Sequence, residues 1–219
     1  MAMPRMRPLT GALAAALLCV AFATQAEAHP HVWITFETAV LHEKGTFVGL
    51  RHKWTFDEFY TAMAIEGLDK NGDGKYDREE LAELAKVNID GLKDFAFFTF
   101  VTLAGHELNV GAAADYWLEH ADGILSLHFT LPFARPVLPE AKGLAFSVYD
   151  PTYFIAFDPA KTTPVKLGEG APKACKMSVG PSAADGGKAT ALGETMSPQQ
   201  LGIFALGYAK AISIDCSGP

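Results

Sequence analysis

The feature that most constrains the fold is a twelve-residue segment, residues 69–80, whose residue types match an EF-hand loop, the calcium-binding turn between two helices. Oxygen donors occupy every position that ligates calcium in such a loop, and glycine occupies position six, where the loop turns sharply. In order, the donors are Asp69, Asn71, Asp73, the backbone carbonyl of Lys75, Asp77 and Glu80. The pattern therefore predicts a helix–loop–helix that binds Ca²⁺, and the alternative is an acidic, glycine-rich turn that binds nothing.

Apolar residues at helical spacing flank this loop on both sides. They predict an entering helix over about residues 55–68, begun by a capping box from Thr55 to Glu58, and an exiting helix that ends at about residue 93. We therefore expect a helical EF-hand insert over about residues 55–93. The sequence holds no second loop of this kind, so we expect structural calcium bound with a Kd of about 10⁻⁴–10⁻³ M, as in extracellular modules.

The first 28 residues have the composition of a secretory signal peptide. Two arginines, Arg5 and Arg7, precede an apolar run over residues 11–23, and Ala26 and Ala28 supply small residues at a cleavage site. A membrane anchor is the alternative, but this run is shorter than the roughly 20 residues that span a bilayer. We therefore expect cleavage after Ala28, a periplasmic location and no membrane span in the exported chain.

Two cysteines, Cys175 and Cys216, remain after the predicted cleavage. Because exported chains meet oxidising conditions, a disulfide is the simplest interpretation. A two-cysteine metal site is the alternative, but neither thiol has a nearby Cys-x₂-Cys or His-x₃-His partner. The net charge of −7 disfavours nucleic acid as a partner.

Alternating apolar and polar residues predict a mostly antiparallel β-sheet or sandwich around the helical insert. The first hairpin pairs residues 31–40 with 47–55 across a three-residue loop, and pairing His42 with Thr46 places His31 opposite Asp57. Further strands are predicted over residues 95–103, 116–120, 124–131, 143–149, 153–157, 173–179 and 208–216, with a short helix near 198–206 and a loop over 181–194. The fold class is therefore α+β, with one domain over residues 29–219.

The exported chain would begin at His29, which gathers an α-amine and two imidazoles within three residues. Imidazole suits Zn²⁺, Ni²⁺, Co²⁺ or Cu²⁺ better than Ca²⁺. With the register above, His29, His31 and Asp57 form a candidate transition-metal site, and an exposed terminus without a ligand is the alternative. His52 is a further candidate, although the pattern places it on the apolar face, where a core histidine held by a hydrogen bond is the competing interpretation.

An ordered series of motifs along the chain resembles the exported family known as domain of unknown function 1007. These motifs are His29–Trp33, Arg51–Glu58, the loop at residues 69–80, Leu127–Phe133, Val148–Phe154 and the two late cysteines. The resemblance implies a periplasmic component of an ABC-type transport system that acts beside nickel, cobalt or zinc transporters. The chain nevertheless lacks the alternating strand and helix units of a two-lobed solute-binding protein.

Together these observations predict a periplasmic divalent-metal-binding accessory protein of a metal transport system, whose partner is an inner-membrane metal transporter. The alternative from another class is a calcium-stabilised adhesion or scaffold module without a transport role. We expect no enzyme, because the sequence holds no His-Glu-x-x-His motif, phosphate loop or recognisable catalytic triad. A copper oxidase that uses the terminal histidine is the least favoured candidate.

Overall fold

Two long strands joined by a tight turn begin the fold in the computed structural model, which describes residues 30–180 and 209–216. Strand β1 (Val32–Glu43) pairs with β2 (Thr46–Phe56) in antiparallel orientation. Lys44 and Gly45 between them have φ values of 48° and 83°. Left-handed conformations at both positions give a two-residue turn whose twist matches that of the strands.

The register of this hairpin differs by two residues from the predicted one. Ile34 lies opposite Phe56, and a bulge shifts the pairing between Leu41 and His42. The turn has two residues instead of three, and the bulge adds one more, which together produce the difference. Because side chains alternate with a period of two, the predicted apolar face is correct while the predicted cross-strand partners are wrong.

Over residues 30–180 and 209–216 the structure is mostly β, with two mostly antiparallel sheets and two α-helices. The first sheet has the order β5-β6-β2-β1-β8, with β9 also pairing β1, and only β8 and β9 run parallel to β1. The second sheet has the order β10-β11-β7-β3-β4. The remaining strands are β3 (Thr99–Leu103), β4 (His106–Glu107), β5 (Ala114–Ala121), β6 (Ile124–Val137), β7 (Leu144–Val148), β8 (Ile155–Pro159), β9 (Val165–Leu167), β10 (Lys176–Val179) and β11 (Ile212–Asp215).

The helical segment lies between β2 and β3. It contains α1 (Glu58–Ala64), α2 (Ala82–Leu92) and a 3₁₀ helix (Lys93–Phe98). Residues 96–98 have φ values near +50°, so strand β3 begins at Thr99 and not at residue 95 as predicted. The predicted strands are otherwise present with shifted ends, whereas β4 and β9 are too short for their patterns to be recognised in the sequence.

All described residues belong to one compact unit, which comprises His29–Ala189 and Ser197–Pro219. The predicted signal peptide, the loop at 181–194 and the helix near 198–206 lie outside the described residues. No helix in the described ranges is both long and apolar enough to cross a bilayer.

The predicted disulfide is confirmed between Cys175 and Cys216. Lys176 of β10 pairs with Asp215 of β11, so the two cysteines stand next along the same ladder. The bond joins two adjacent strands of the second sheet and fixes the described C-terminal residues to it.

One core contains buried side chains from both sheets. Its largest fully buried members are Trp54, Phe36, Phe47, Phe129 and Phe146. His52 is also in this core with 0% exposure, and its Nδ1 lies 2.9 Å from Thr38 Oγ1. His52 is therefore a core histidine held by a hydrogen bond, the alternative to a metal ligand.

Acid should destabilise the protein through His52, because burial lowers the pKa of this imidazole from 6.5 to about 3. Between these two values the unfolded chain binds the proton and the folded chain does not, so stability falls as pH falls below 6.5. At pH 5 the loss is about 2 kcal/mol. Urea unfolding at pH 7 and pH 5 measures this loss of stability. The loss should be smaller in His52→Gln than in the unmodified chain.

His128→Gln provides the comparison for this measurement, because burial also lowers the pKa of His128, which is less deeply buried than His52. It should remove a smaller part of the pH dependence. An unchanged difference between pH 7 and pH 5 in His52→Gln would contradict the assignment.

Candidate metal centre

Asp57 is the N-cap of helix α1, two residues after Thr55, the predicted cap residue. The Asp57 side chain caps the helix, since its Oδ1 accepts a hydrogen bond from the Tyr60 backbone N–H at 2.8 Å. Thr55 still belongs to β2, where its Oγ1 lies 3.1 Å from Ser126 Oγ. Strand pairing therefore takes precedence over the Thr55–Glu58 cap, and the predicted start of the helix is wrong.

Side-chain contacts fix α1 to the first sheet and to α2. Thr61 is buried and its Oγ1 accepts a hydrogen bond from the Leu125 N–H of β6 at 3.1 Å. The Tyr60 hydroxyl donates to Asn88 Oδ1 of α2 at 3.2 Å. Burial raises the pKa of Tyr60, which keeps this hydroxyl protonated as the donor. The two helices that flank the loop are thus held together at one end.

Backbone N–H groups within residues 69–80 surround the first carboxylate of the loop. Asp69 Oδ1 accepts hydrogen bonds from Gly72 at 2.8 Å and Asp73 at 3.2 Å, and its Oδ2 accepts one from Gly74 at 3.0 Å. Gly72 and Gly74 have φ values of 74° and 76°. Glycine is needed at both positions because the chain can then turn back around Asp69 without steric cost.

The last carboxylate, that of Glu80, closes the loop against its own beginning. Glu80 Oε1 accepts hydrogen bonds from the Lys70 N–H at 2.8 Å and the Asn71 N–H at 3.3 Å, and Oε2 accepts one from Asp77 at 3.2 Å. Glu80 is buried, with 8% exposure. The first and last predicted ligands therefore stand at neighbouring points although eleven positions separate them.

The intermediate donors make local turns of the same kind. Asn71 Oδ1 accepts from the Asp73 N–H and Asp73 Oδ1 accepts from the Lys75 N–H, each at 2.8 Å. Asp77 Oδ1 accepts from the Glu79 and Glu80 N–H groups at 2.8 and 2.9 Å. A carboxylate has about four lone-pair sites, so each of these groups retains some for a cation.

The chemistry of these donors fits calcium, because the side chains at the ligand positions offer only oxygen and Lys75 adds its backbone carbonyl. The structure does not gather the carboxylates around one point: across residues 30–180 and 209–216, no three His, Cys, Asp or Glu side chains are placed to hold a metal ion together. The fit therefore lies in donor type, spacing and the N–H bonds that hold the loop.

The loop also contacts β5 through two side chains. Tyr76 packs edge-on against His120 with ring centroids 4.9 Å apart, and the Arg78 guanidinium lies 4.8 Å from the centre of the Trp117 ring. Trp117 stacks on His128 at 4.5 Å. Trp117 is thus in direct contact with the loop, and its fluorescence should report changes there.

The sequence pattern alone does not indicate that these aromatic residues contact the loop. One signal could have found part of the arrangement: an Asp-Gly pair is typical of a two-residue hairpin turn, and Asp122 and Gly123, with φ values of 53° and 78°, form such a turn between β5 and β6. Counting outward from that turn pairs Trp117 with His128. What the hairpin could not reveal is that Arg78, distant in sequence, covers the Trp117 ring.

The predicted transition-metal residues are not brought together by the described structure. His29 lies outside the described residues. His31 is exposed, and its ring lies 4.8 Å from that of Phe154. Its backbone N–H donates to the Phe154 carbonyl oxygen at 2.8 Å. Trp33, not His31, lies beside Asp57, because the backbone N–H of Trp33 donates to Asp57 Oδ2 at 2.8 Å. The predicted pairing of His31 with Asp57 is wrong because the register differs by two residues, and His52 lies in the core.

Comparison with known proteins identifies the family. The model of the family described as "Protein of unknown function (DUF1007)" matches residues 14–216. The chain belongs to the DUF1007 family. The motif series from His29 to Cys216 lies within the matched residues.

Two curated proteins are similar to this DUF1007 chain. One, from Spirochaeta aurantia, is named "Uncharacterized 15.5 kDa protein in trpE 3'region"; it is 34% identical over 99 residues, which cover 45% of this chain and 70% of that protein. An uncharacterized protein from Haemophilus influenzae is 25% identical over 139 residues, or 63% of this chain and 66% of that protein. No solved structure matches the chain.

Proposed function

We propose that this DUF1007 protein is a periplasmic metal-binding accessory protein of a metal transport system, with calcium held in an EF-hand at residues 69–80. The observation that carries the calcium part is the closure of the loop, in which Glu80 accepts N–H bonds from Lys70 and Asn71 while Asp69 accepts three of its own. These bonds hold the two ends of the loop together, and a bound Ca²⁺ would then attract the remaining donor oxygens of the loop by its charge.

The transport part of the proposal concerns the start of the exported chain. His31 is exposed at the start of the described residues, and residues 1–28 have the composition of a cleaved signal peptide. Cleavage after Ala28 would make His29 the first residue and place its free α-amine close in sequence to His31. These groups suit Zn²⁺, Ni²⁺, Co²⁺ or Cu²⁺ and would deliver the ion to, or receive it from, an inner-membrane transporter.

Calorimetry on the exported chain tests both parts separately. Calcium heat should disappear in Glu80→Gln and persist in His31→Ala. Zinc or nickel affinity should fall by about tenfold or more in His31→Ala, a loss of about 1.4 kcal/mol or more. His106→Ala removes another exposed histidine and is the matched control.

The two parts of the proposal can fail independently. If His31→Ala and His106→Ala bind zinc and nickel as the unmodified chain does, the transport part is wrong. If Glu80→Gln still takes up calcium with unchanged affinity, the assignment of the loop is wrong.

A calcium-stabilised scaffold without a transport role is the second candidate. The position of Asp57 favours it, because Trp33 and not His31 lies beside this carboxylate, so the predicted histidine site lacks Asp57 as a neighbour. Binding of calcium and of no transition metal in the same calorimetric series would favour this candidate.

A further inference from the structure

The outward face of the first sheet carries a cleft of about 320 Å³ that no part of the proposed function uses. Strand pairing sets Ala39 of β1 between Arg51 of β2 and Lys166 of β9. Because Ala39 has only a methyl group, the longer side chains on either side rise above it. Lys53, two residues from Arg51 on the same face, completes a group of three cationic side chains that line the cleft.

These cations are close enough to repel one another. Adjacent strands lie about 4.8 Å apart, so the backbones of Arg51 and Lys166 are separated by about 10 Å, and Arg51 and Lys53 by about 7 Å along one strand. Both backbone separations are comparable with the screening length of about 8–10 Å at moderate salt. In a chain with a net charge of −7, such a cluster is not a consequence of general basicity.

Carboxylates of the described chain neutralise this cluster only in part. Lys53 Nζ lies 3.9 Å from Glu119 Oε2, and Glu37 also lines the cleft. Within residues 30–180 and 209–216, no carboxylate lies within 4.0 Å of Arg51 or Lys166. Arg51 Nε donates to Thr130 Oγ1 at 3.3 Å, which positions the guanidinium and leaves its terminal N–H groups for another acceptor.

We propose that the cleft between Arg51, Lys53 and Lys166 binds a small oxyanion that carries two or more negative charges. The fork of an arginine matches the paired oxygens of a carboxylate or a phosphate, while lysines contribute point charges from the sides. The volume lies at the lower end of the range for small-molecule sites, about 300–1,000 Å³. None of these residues belongs to the loop at 69–80, so the site is separate from the proposed calcium site.

Titration of the exported chain with tricarballylate and, separately, with inorganic phosphate tests this proposal. Both titrations are followed by amide NMR at low ionic strength without added calcium. At least one anion should bind saturably at one site, and its affinity should fall by about tenfold or more in the double variant Arg51→Gln/Lys166→Gln. Saturable binding of one anion and not of the other distinguishes a carboxylate from a phosphate ligand.

The double variant Arg135→Gln/Lys142→Gln is the matched control, because it removes the same charge from exposed residues that do not line the cleft. It should bind the anion within about twofold of the unmodified chain. The proposal is overturned if neither anion saturates, or if both double variants lose affinity equally, since the effect would then be general electrostatic attraction. Unchanged NMR dispersion in each variant verifies that the fold is intact.

Discussion

Calcium at 10 mM is expected to raise the melting temperature of the chain that begins at His29 by about 3–11 °C. With a Kd of about 10⁻⁴–10⁻³ M, binding to the folded state alone adds about 1.4–2.7 kcal/mol to the free energy of unfolding. For a domain of this size, 1 kcal/mol corresponds to about 2–4 °C. Glu80→Gln should abolish this rise, because it removes the carboxylate that closes the loop onto Lys70 and Asn71.

Glu79→Gln is the matched control for this experiment, since Glu79 neighbours Glu80 but stands at a position that supplies no ligand. It should retain the calcium-dependent rise. Trp117 provides a second readout, because Arg78 of the loop lies over its ring; Trp117→Phe should remove the calcium-dependent change in fluorescence. Equal loss of the thermal response in Glu79→Gln and Glu80→Gln would indicate a general charge effect instead of a ligand site.

Replacement of Cys175 and Cys216 by alanine is expected to cost about 4 kcal/mol of stability. The bond closes a loop with a sequence separation of 41 residues, and the chain-entropy model assigns about this value to such a loop. The melting temperature should fall by about 8–16 °C. Denaturant unfolding of the oxidised protein and the double variant measures the difference directly.

Reduction provides the internal control for the disulfide. A reducing agent should lower the stability of the unmodified chain towards that of the double variant and leave the double variant unchanged. A difference below about 1 kcal/mol between the oxidised protein and the double variant would show that β10 and β11 are held by their pairing alone.

The alternation of apolar residues predicts the longer strands and the faces they bury, but not the short strands β4 and β9. Ile34 and Phe36 face the core with Trp54, as predicted, because a two-residue error in register leaves every side chain on its own face. The partners themselves depended on the bulge at Leu41 and on the left-handed Lys44, and neither has a clear sequence signal. The parallel pairing of β8 and β9 with β1 joins segments too distant in sequence for local patterns to reveal.

The candidate site divides in the same way. The loop at residues 69–80 could be recognised because its donors follow one another at fixed positions. The predicted pairing of His31 with Asp57 depended on the register of the hairpin, and it is wrong because the backbone N–H of Trp33 contacts Asp57 instead. The cationic cleft joins β2, β1 and β9, and the last of these was not predicted as a strand.

Asp57 connects the start of the described chain with the helix that leads into the loop. Its Oδ2 accepts a hydrogen bond from the Trp33 backbone N–H of β1, and its Oδ1 accepts one from the Tyr60 backbone N–H of α1. A tilt of α1 would therefore disturb the start of β1. A calcium ion in the proposed site at residues 69–80 and a metal ion at the proposed amino-terminal site would therefore be coupled through Asp57. By thermodynamic reciprocity, whatever factor calcium imposes on the affinity of a metal at the amino terminus, that metal imposes in return on calcium.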